Sequence, residues 1–401
     1  MALDLTSFSA ALKQHYTTDR VENMVYRDNP LLAMVPKYEQ FGGENLKLPI
    51  KYGIPQGRSA TFSTAQSNKT NTQFKAFLLT RNKDYSLASI DNETIEASKG
   101  NSNAFMEAAT TEIDGAIESA TRSLAISLYG SGSGSIGQVS ASSTGTSFQL
   151  VNVEDVTNFE VGMELVFSTA DGGGSVKSGN VTITGVNRDS GVVSVDALTA
   201  IDGGSGAAAN DYVFVQGDYD LKIKGLSAWL PASAPTSGDS FFGVDRSADA
   251  TRLAGIRFDG SALPIEEALI EAAARVAREG GRPDHCFMSY SKFSELEKAL
   301  GSKVQYVDSH VSAEIGFRGI LIHGPRGPIK VIPDQNCPQD VAFMLSLQHW
   351  KLYSLGKAPK ILDSDGLKML RESNADAVEV RVGYYAQLGS RAPGFNARIS
   401  L

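Results

Sequence analysis

Only two cysteines, Cys286 and Cys337, occur in 401 residues, so no disulfide framework holds this chain together, and both read as small buried hydrophobes. Proline is sparse, at 14 residues, which excludes collagen-like and proline-rich disordered chains. No apolar run reaches the roughly 18 residues of a membrane-spanning helix, so no membrane role is expected. The opening Met1-Ala2-Leu3-Asp4-Leu5 has neither the basic nor the apolar region of a secretory leader. An excess of basic residues is also missing. The net charge of −8 argues against a dedicated nucleic-acid-binding surface.

Recognisable chemistry is equally scarce. There is no phosphate-binding loop, and neither Gly130–Gly134 nor Gly172–Gly174 lies between a core strand and a helix. No nucleophile elbow is present. The histidines His15, His285, His310, His323 and His349 show no metal-ligand spacing. His285 adjoins Cys286, but neighbours in a strand point to opposite faces. Catalytic residues, cofactors and metals are therefore all expected to be absent. The three matches to the glycosylation sequon, at Asn68, Asn92 and Asn180, read as chance.

What the chain does have is a bounded acidic block rich in Gly, Ser and Val, residues 137–217, set into a different kind of protein. Phe148–Val153, Glu164–Ser168, Val181–Val186, Val192–Val195 and Asp211–Gln216 read as short strands between turns, which predicts a small barrel or sandwich inserted into a host loop. Before it, Phe105, Ala109, Ile113, Ala116, Ile117, Ala120, Leu124 and Leu128 recur at steps of three and four, predicting one long helix over 105–129 that stops at Gly130. Residues 1–40 read as an arm whose Leu3, Leu5, Phe8, Leu31, Leu32 and Met34 have no local core. Residues 41–90 read as a long hairpin, with Leu46, Leu48 and Ile50 alternating with polar residues on one strand and Phe74–Ile90 supplying the return half. After the block, Ile265, Ala268, Leu269, Ala272 and Val276 mark a helix ended by Gly280-Gly281, then a strand at His285–Met288, a helix at Tyr290–Leu300, and mainly strands from Gly319.

Charge is segregated along the chain. Segment 37–83 has a net charge of +6, segment 91–129 of −5 and the block 137–217 of −7. Such a chain either has differently solvated faces or pairs with copies of itself. On the second reading Lys51, Arg58 and Lys69 of the hairpin meet Glu112, Asp114 and Glu118 of the long helix of a neighbour.

The order of parts resembles a known family. Leu128-Tyr129-Gly130-Ser131-Gly132-Ser133-Gly134, resumed at Gly225-Leu226, is similar to the exit of a spine helix. Pro283-Asp284-His285-Cys286-Phe287-Met288-Ser289-Tyr290-Ser291-Lys292-Phe293-Ser294-Glu295-Leu296 is similar to its strand-then-helix signature. Gly319–Gly324 with Val331–Pro333, Trp350–Tyr353, Val378–Leu388 and Arg391-Ala392-Pro393 resemble later strands. Together they resemble a tailed-bacteriophage major capsid protein of the HK-97 type.

The resemblance implies an α+β capsid fold with an inserted all-β domain. Its parts would be an N-terminal arm (1–40), an extended hairpin (41–90), the spine helix and peripheral domain (91–136), the insertion (137–217), an axial domain (218–345) and peripheral return strands (346–401). It implies a non-enzymatic shell subunit that forms pentamers and hexamers. The implied partners are a separate scaffolding protein, a portal protein, a decoration protein and packaged double-stranded DNA contacted without sequence specificity. It implies assembly in the host cytoplasm and residence in the virion. Some members cross-link a loop lysine to a neighbour's asparagine; Lys51, Lys69 and Lys75 match that only in number. Two alternatives stand beside this reading. One is an encapsulin-like bacterial compartment shell. The other is a carbohydrate-binding or tail-adhesion protein, for which the block offers only Phe148, Phe159, Phe167, Tyr212 and Phe214 as stacking aromatics.

Overall fold

A computed structural model describes residues 25–93, 102–301, 306–310, 316–363, 370–372 and 375–401. Most of the expected arm, residues 1–24, lies outside the described residues, as do the side chains of Phe105 and Ala109.

The long helix runs Ser102–Tyr129, about 40 Å at 1.5 Å per residue. Ile113, Ala116, Ile117, Ala120, Leu124 and Leu128 form its buried stripe. That stripe lies on a six-stranded sheet organised around one long strand, Ala377–Ser390. Val378, Val380, Val382, Tyr384, Ala386 and Leu388 alternate onto its buried face, the period-two pattern of a half-covered strand. Asn82–Asp91 pairs antiparallel with the first part of that strand, and Trp350–Ser354 with the last.

The hairpin is shorter than the sequence pattern predicts. Asn45–Gly53 pairs with Gln73–Thr80 only, and the rest of the expected return half, Asn82–Asp91, crosses into the helix-backed sheet. The break falls at Arg81, whose guanidinium donates to the Phe41 carbonyl and stacks 4.9 Å from the Phe41 ring. Part of the arm is also corrected. Pro30–Met34 is a helix, and Leu31 and Leu32 are each 1% exposed within this chain's own core. The Leu31 amide donates to buried Asp334 at 3.2 Å, so this segment docks at home rather than on a neighbour.

A second core lies under a seven-stranded sheet backed by the helices Ile265–Arg278 and Tyr290–Leu300. Its composition moves two expected boundaries. Ala397–Ser400 is not a peripheral strand: it inserts between Ile256–Asp259 and Val341–Leu345. Trp229, Leu230, Phe241 and Leu253 lie in the spine-helix core although they fall within the expected axial range 218–345. Local periodicity reports which face of a strand is buried; it cannot report which sheet a distant strand joins.

The inserted block has its own core of Val139, Phe148, Phe159, Leu165, Phe167, Val193 and Val213, among others. Its six strands run in the order Ser135–Gln138, Tyr212–Val215, Glu164–Ser168, Val181–Asn187, Val192–Val195, Ser147–Gln149. An isolated bridge between Val139 and Leu150 joins the two ends of this order, closing a small barrel. The first strand is absent from the sequence reading because Ser135-Ile136-Gly137-Gln138 carries one strong apolar residue and follows a Gly-Ser run.

The two connections to the barrel run side by side: Asp220 N donates to Ser133 O at 2.7 Å and Gly225 N to Gly130 O at 3.1 Å. Replacing residues 135–217 with a short Gly-Ser bridge is therefore expected to leave the host folded. Circular dichroism should keep the long-helix signal and melting should stay cooperative. An insoluble, unfolded variant would show instead that the barrel is part of the host core.

Candidate assembly surface

From Lys51 to Ala76 no residue is buried. This tip contains the short helix Phe62–Ser67, and its apolar side chains are open to solvent: Ile54 is 58% exposed, Phe62 82% and Phe74 63%. The root is firmly held. Leu48, Ile50, Phe77 and Leu79 are buried, with the Phe77 ring 5.0 Å from Trp229 and 6.0 Å from Phe241. Lys75 Nζ donates to Asp245 O at 2.7 Å and Arg252 to Tyr52 O at 2.6 Å. Pro49, Lys47 and Lys51 on the outer strand Asn45–Gly53 blunt it against unprogrammed strand pairing.

The charges of this segment sort into two kinds. Lys75 and Arg81 are engaged with backbone carbonyls of their own chain. Lys51, Arg58 and Lys69 are exposed and form no ion pair among the described residues. On the spine helix, Glu112 is exposed, Asp114 is half-buried and engaged within the chain, and Glu118 pairs with Arg122 at 3.3 Å. Within one subunit, then, the basic and acidic members of the expected set are not brought together.

Arg122 is the residue that sequence reasoning missed. It continues from Glu118 to Glu160 of the barrel at 2.5 Å, and Arg188 meets Glu160 from the other side at 2.9 Å. Burial pushes the Glu160 carboxyl up, but the two arginines outweigh it and hold it below the usual carboxylate range. The available signal was Arg122 four residues after Glu118 in an otherwise acidic helix.

Between the spine helix and the barrel lies an open trench of about 1240 Å³, lined also by Gln335–Gln339. Glu154 and Asp155 stand on its barrel side. Burial, reinforced by Glu154 and opposed by a hydrogen bond with Asn152, pushes the Asp155 carboxyl up to about 6.

Part of the trench lining belongs to a largely buried polar knot. Lys222 Nζ lies 2.6 Å from Asp84 Oδ2, 2.9 Å from Asp218 Oδ2 and 2.9 Å from Ser123 Oγ. Tyr384 OH donates to Asp84 at 3.2 Å. The knot ties the strand Asn82–Asp91, the spine helix, the long strand and the barrel's exit segment together.

Among the described residues no group of three His, Cys, Asp or Glu side chains is arranged to hold a metal. Burial pushes the Cys286 thiol up to about 12, which leaves no thiolate nucleophile there.

Residues 210–367 match the family model described as SU10 major capsid protein. No curated protein matches the chain. Among solved structures, the chain is similar to that described as the cyanophage A-1(L) capsid asymmetric unit, with 13% identity over 93% of this chain and 92% of that one and a TM-score of 0.53. A structure from Mycobacterium phage Ogopogo shares 9% identity over 93% and 92%, with a TM-score of 0.43. A virus-like particle from Pyrococcus furiosus shares 7% over 95% and 96%, with a TM-score of 0.38. The fold is the HK-97-type capsid fold.

Proposed function

We propose that this chain, a tailed-phage major capsid protein of the HK-97 type, closes with copies of itself into the icosahedral head shell around packaged double-stranded DNA. The observation that carries the reading is the capsid-family match over 210–367 on a capsid fold, joined to a hairpin tip with no core of its own. A segment that buries nothing within its subunit is accounted for when it lies on a neighbour. The family is a structural one, which agrees with a non-enzymatic role.

One finer part of the reading, the placement of the barrel, is supported by charge; the partners are those that the family resemblance implies. On the barrel, Lys177 is bound to Asp211 at 2.5 Å and Arg188 to Glu160, so no cation is left over against its acids. Such a surface repels phosphate, which supports placing the barrel on the outer side of the shell, away from the DNA. Subunits assemble as pentamers and hexamers in the host cytoplasm. They do so with a separate scaffolding protein, a portal and a decoration protein, and the DNA is contacted without sequence specificity.

The adhesion alternative loses its main support. Phe148, Phe159, Phe167 and Phe214 are buried in the barrel, and only Tyr212 keeps partial exposure, so there is no aromatic face for a sugar. The family match favours the phage shell over the compartment shell.

Electron microscopy and light scattering of the purified chain test the proposal. Capsomers or closed shells are expected; a chain that stays monomeric at high concentration, alone and with scaffolding protein, overturns it.

A further inference from the structure

We propose that Lys224 is a modification site, a nucleophilic lysine that takes up an acyl group from small acyl phosphates. The lysines of the chain differ in what holds them. Lys222, two residues earlier, is locked between the carboxylates of Asp84 and Asp218. Lys177 is bound to Asp211, and Lys292 to Glu295 at 3.2 Å. Lys37 and Lys75 donate to backbone carbonyls, and Lys51 and Lys69 are open to water. Lys224 is unlike any of these. It is half-buried, yet its side chain makes no hydrogen bond or ion pair among the described residues, and its Nζ keeps contact with solvent.

Its surroundings are apolar and cationic. The Nζ lies over two aromatic rings, 4.9 Å from the centre of Phe242 and 5.3 Å from that of Phe241. The Arg246 guanidinium stacks on the same Phe241 ring at 4.2 Å. Arg246 is buried and directs its fork at Ala228 O and Asp239. Aromatic faces attract an ammonium, but they also take the place of the water that would solvate it. Arg246 shares that attraction and repels a second positive charge. The charged groups that bear on Lys224 are Arg246 on one side of the balance and Asp220 and Asp239 on the other. Asp239 is paired with Arg246 at 3.1 Å, and Asp220 accepts from Gly173 N at 2.8 Å, so neither is given over to the amine. Burial, reinforced by Arg246 and opposed by the two acids, holds the Lys224 ammonium below the usual lysine range. More of it is the free amine at neutral pH, the form that attacks.

In the reaction the Nζ lone pair attacks the acyl carbon. The N–C bond forms, the C–O bond to phosphate breaks, phosphate leaves with the electron pair, and the surplus proton passes from nitrogen to water. The amide that results is neutral. It removes one of two like charges from the Phe241 ring and breaks no ion pair. The modified residue would stand at the joint between barrel and host. Lys224 lies in the segment that leaves the barrel, packed so closely on the entering one that a Cβ at Gly132 would come within 2.8 Å of Lys224 Cγ.

Acetyl phosphate is the probe. The purified, unassembled full chain is treated with a limiting amount from about pH 6 to about pH 10, and acetylation is read lysine by lysine by peptide mass spectrometry. At neutral pH Lys224 is expected to react about threefold faster than exposed Lys51 and Lys69, with a pH midpoint below theirs. Asp220→Asn keeps an acceptor for Gly173 N and deletes a negative charge, so it should speed Lys224 further. Arg246→Gln removes the neighbouring cation and should slow Lys224 toward the exposed lysines. A neutral-pH rate at or below those of Lys51 and Lys69, or a midpoint equal to theirs, overturns the proposal. So does a rate indifferent to both variants. If Arg246→Gln does not fold, the pH profile and Asp220→Asn decide.

Discussion

Lys222→Ala is expected to lower the unfolding free energy by about 3–5 kcal/mol, the cost of stranding buried charge by removing one partner. Lys222 is 8% exposed on its side chain and sits between two carboxylates, Asp84 at 2.6 Å and Asp218 at 2.9 Å. Removing it leaves both acids facing each other with Ser123 and Tyr384 as the remaining partners of Asp84. Asp218 already has its carboxyl pushed up by burial, against the pull of Lys222, so the variant removes the larger opposing influence.

The sign of the pH dependence follows. An acid whose folded-state affinity for protons is raised costs stability above its unfolded value and costs nothing once both states are protonated. The deficit of Lys222→Ala should therefore be largest near neutral pH, shrink as the pH falls and be nearly gone below about pH 4. Denaturant unfolding across pH measures it. A companion variant, Lys222→Met with Asp84→Asn and Asp218→Asn, removes all three charges and should recover much of the loss, because replacing a whole buried ion cluster is far cheaper than breaking it. A pH-independent loss of under about 1 kcal/mol would mean that the knot is hydrated and contributes as an ordinary surface pair.

The knot also marks where sequence reasoning stops. The spine helix is legible because Ile113, Ile117, Ala120, Leu124 and Leu128 repeat with the helical period, and the helix at Ile265–Arg278 is legible from its stripe and its charged ends. Five barrel strands are legible from valine-rich runs between turns. Asp84, Ser123, Lys222 and Tyr384 are spread over three hundred positions and have no shared pattern; only the tertiary fold brings them together.

The same limit moved Leu31 and Leu32 from an unpartnered arm into the core. It also sent Ala397–Ser400 to the axial sheet. At the candidate surface, composition located the free cations Lys51, Arg58 and Lys69. It could not show that Glu118 is engaged by Arg122, or that the barrel places Glu154 and Asp155 beside it.

Excising the tip, residues 54–72, is expected to abolish closed shells while leaving the subunit folded. The strand register ends at Gly53 opposite Gln73, so an Asn-Gly turn can join them without disturbing the ladder. No buried residue is removed, so melting should hardly change. The lost contact is large by comparison. Fully burying Phe62 and Ile54 contributes about 1.5–3 kcal/mol each, against about 0–1 kcal/mol for each exposed charge pair. Repeated at every subunit boundary of a closed shell, that difference separates assembly from none. The same magnitudes order the point variants: Phe62→Ala should impair assembly more than Arg58→Glu, and raising salt from about 0.1 M to 1 M should weaken but not prevent it. Light scattering gives the rates and microscopy the products. If the excised chain still closes shells at the normal rate, the tip is not the contact. If Arg58→Glu outweighs Phe62→Ala and salt alone dissolves the shells, charge rather than apolar burial holds the neighbours.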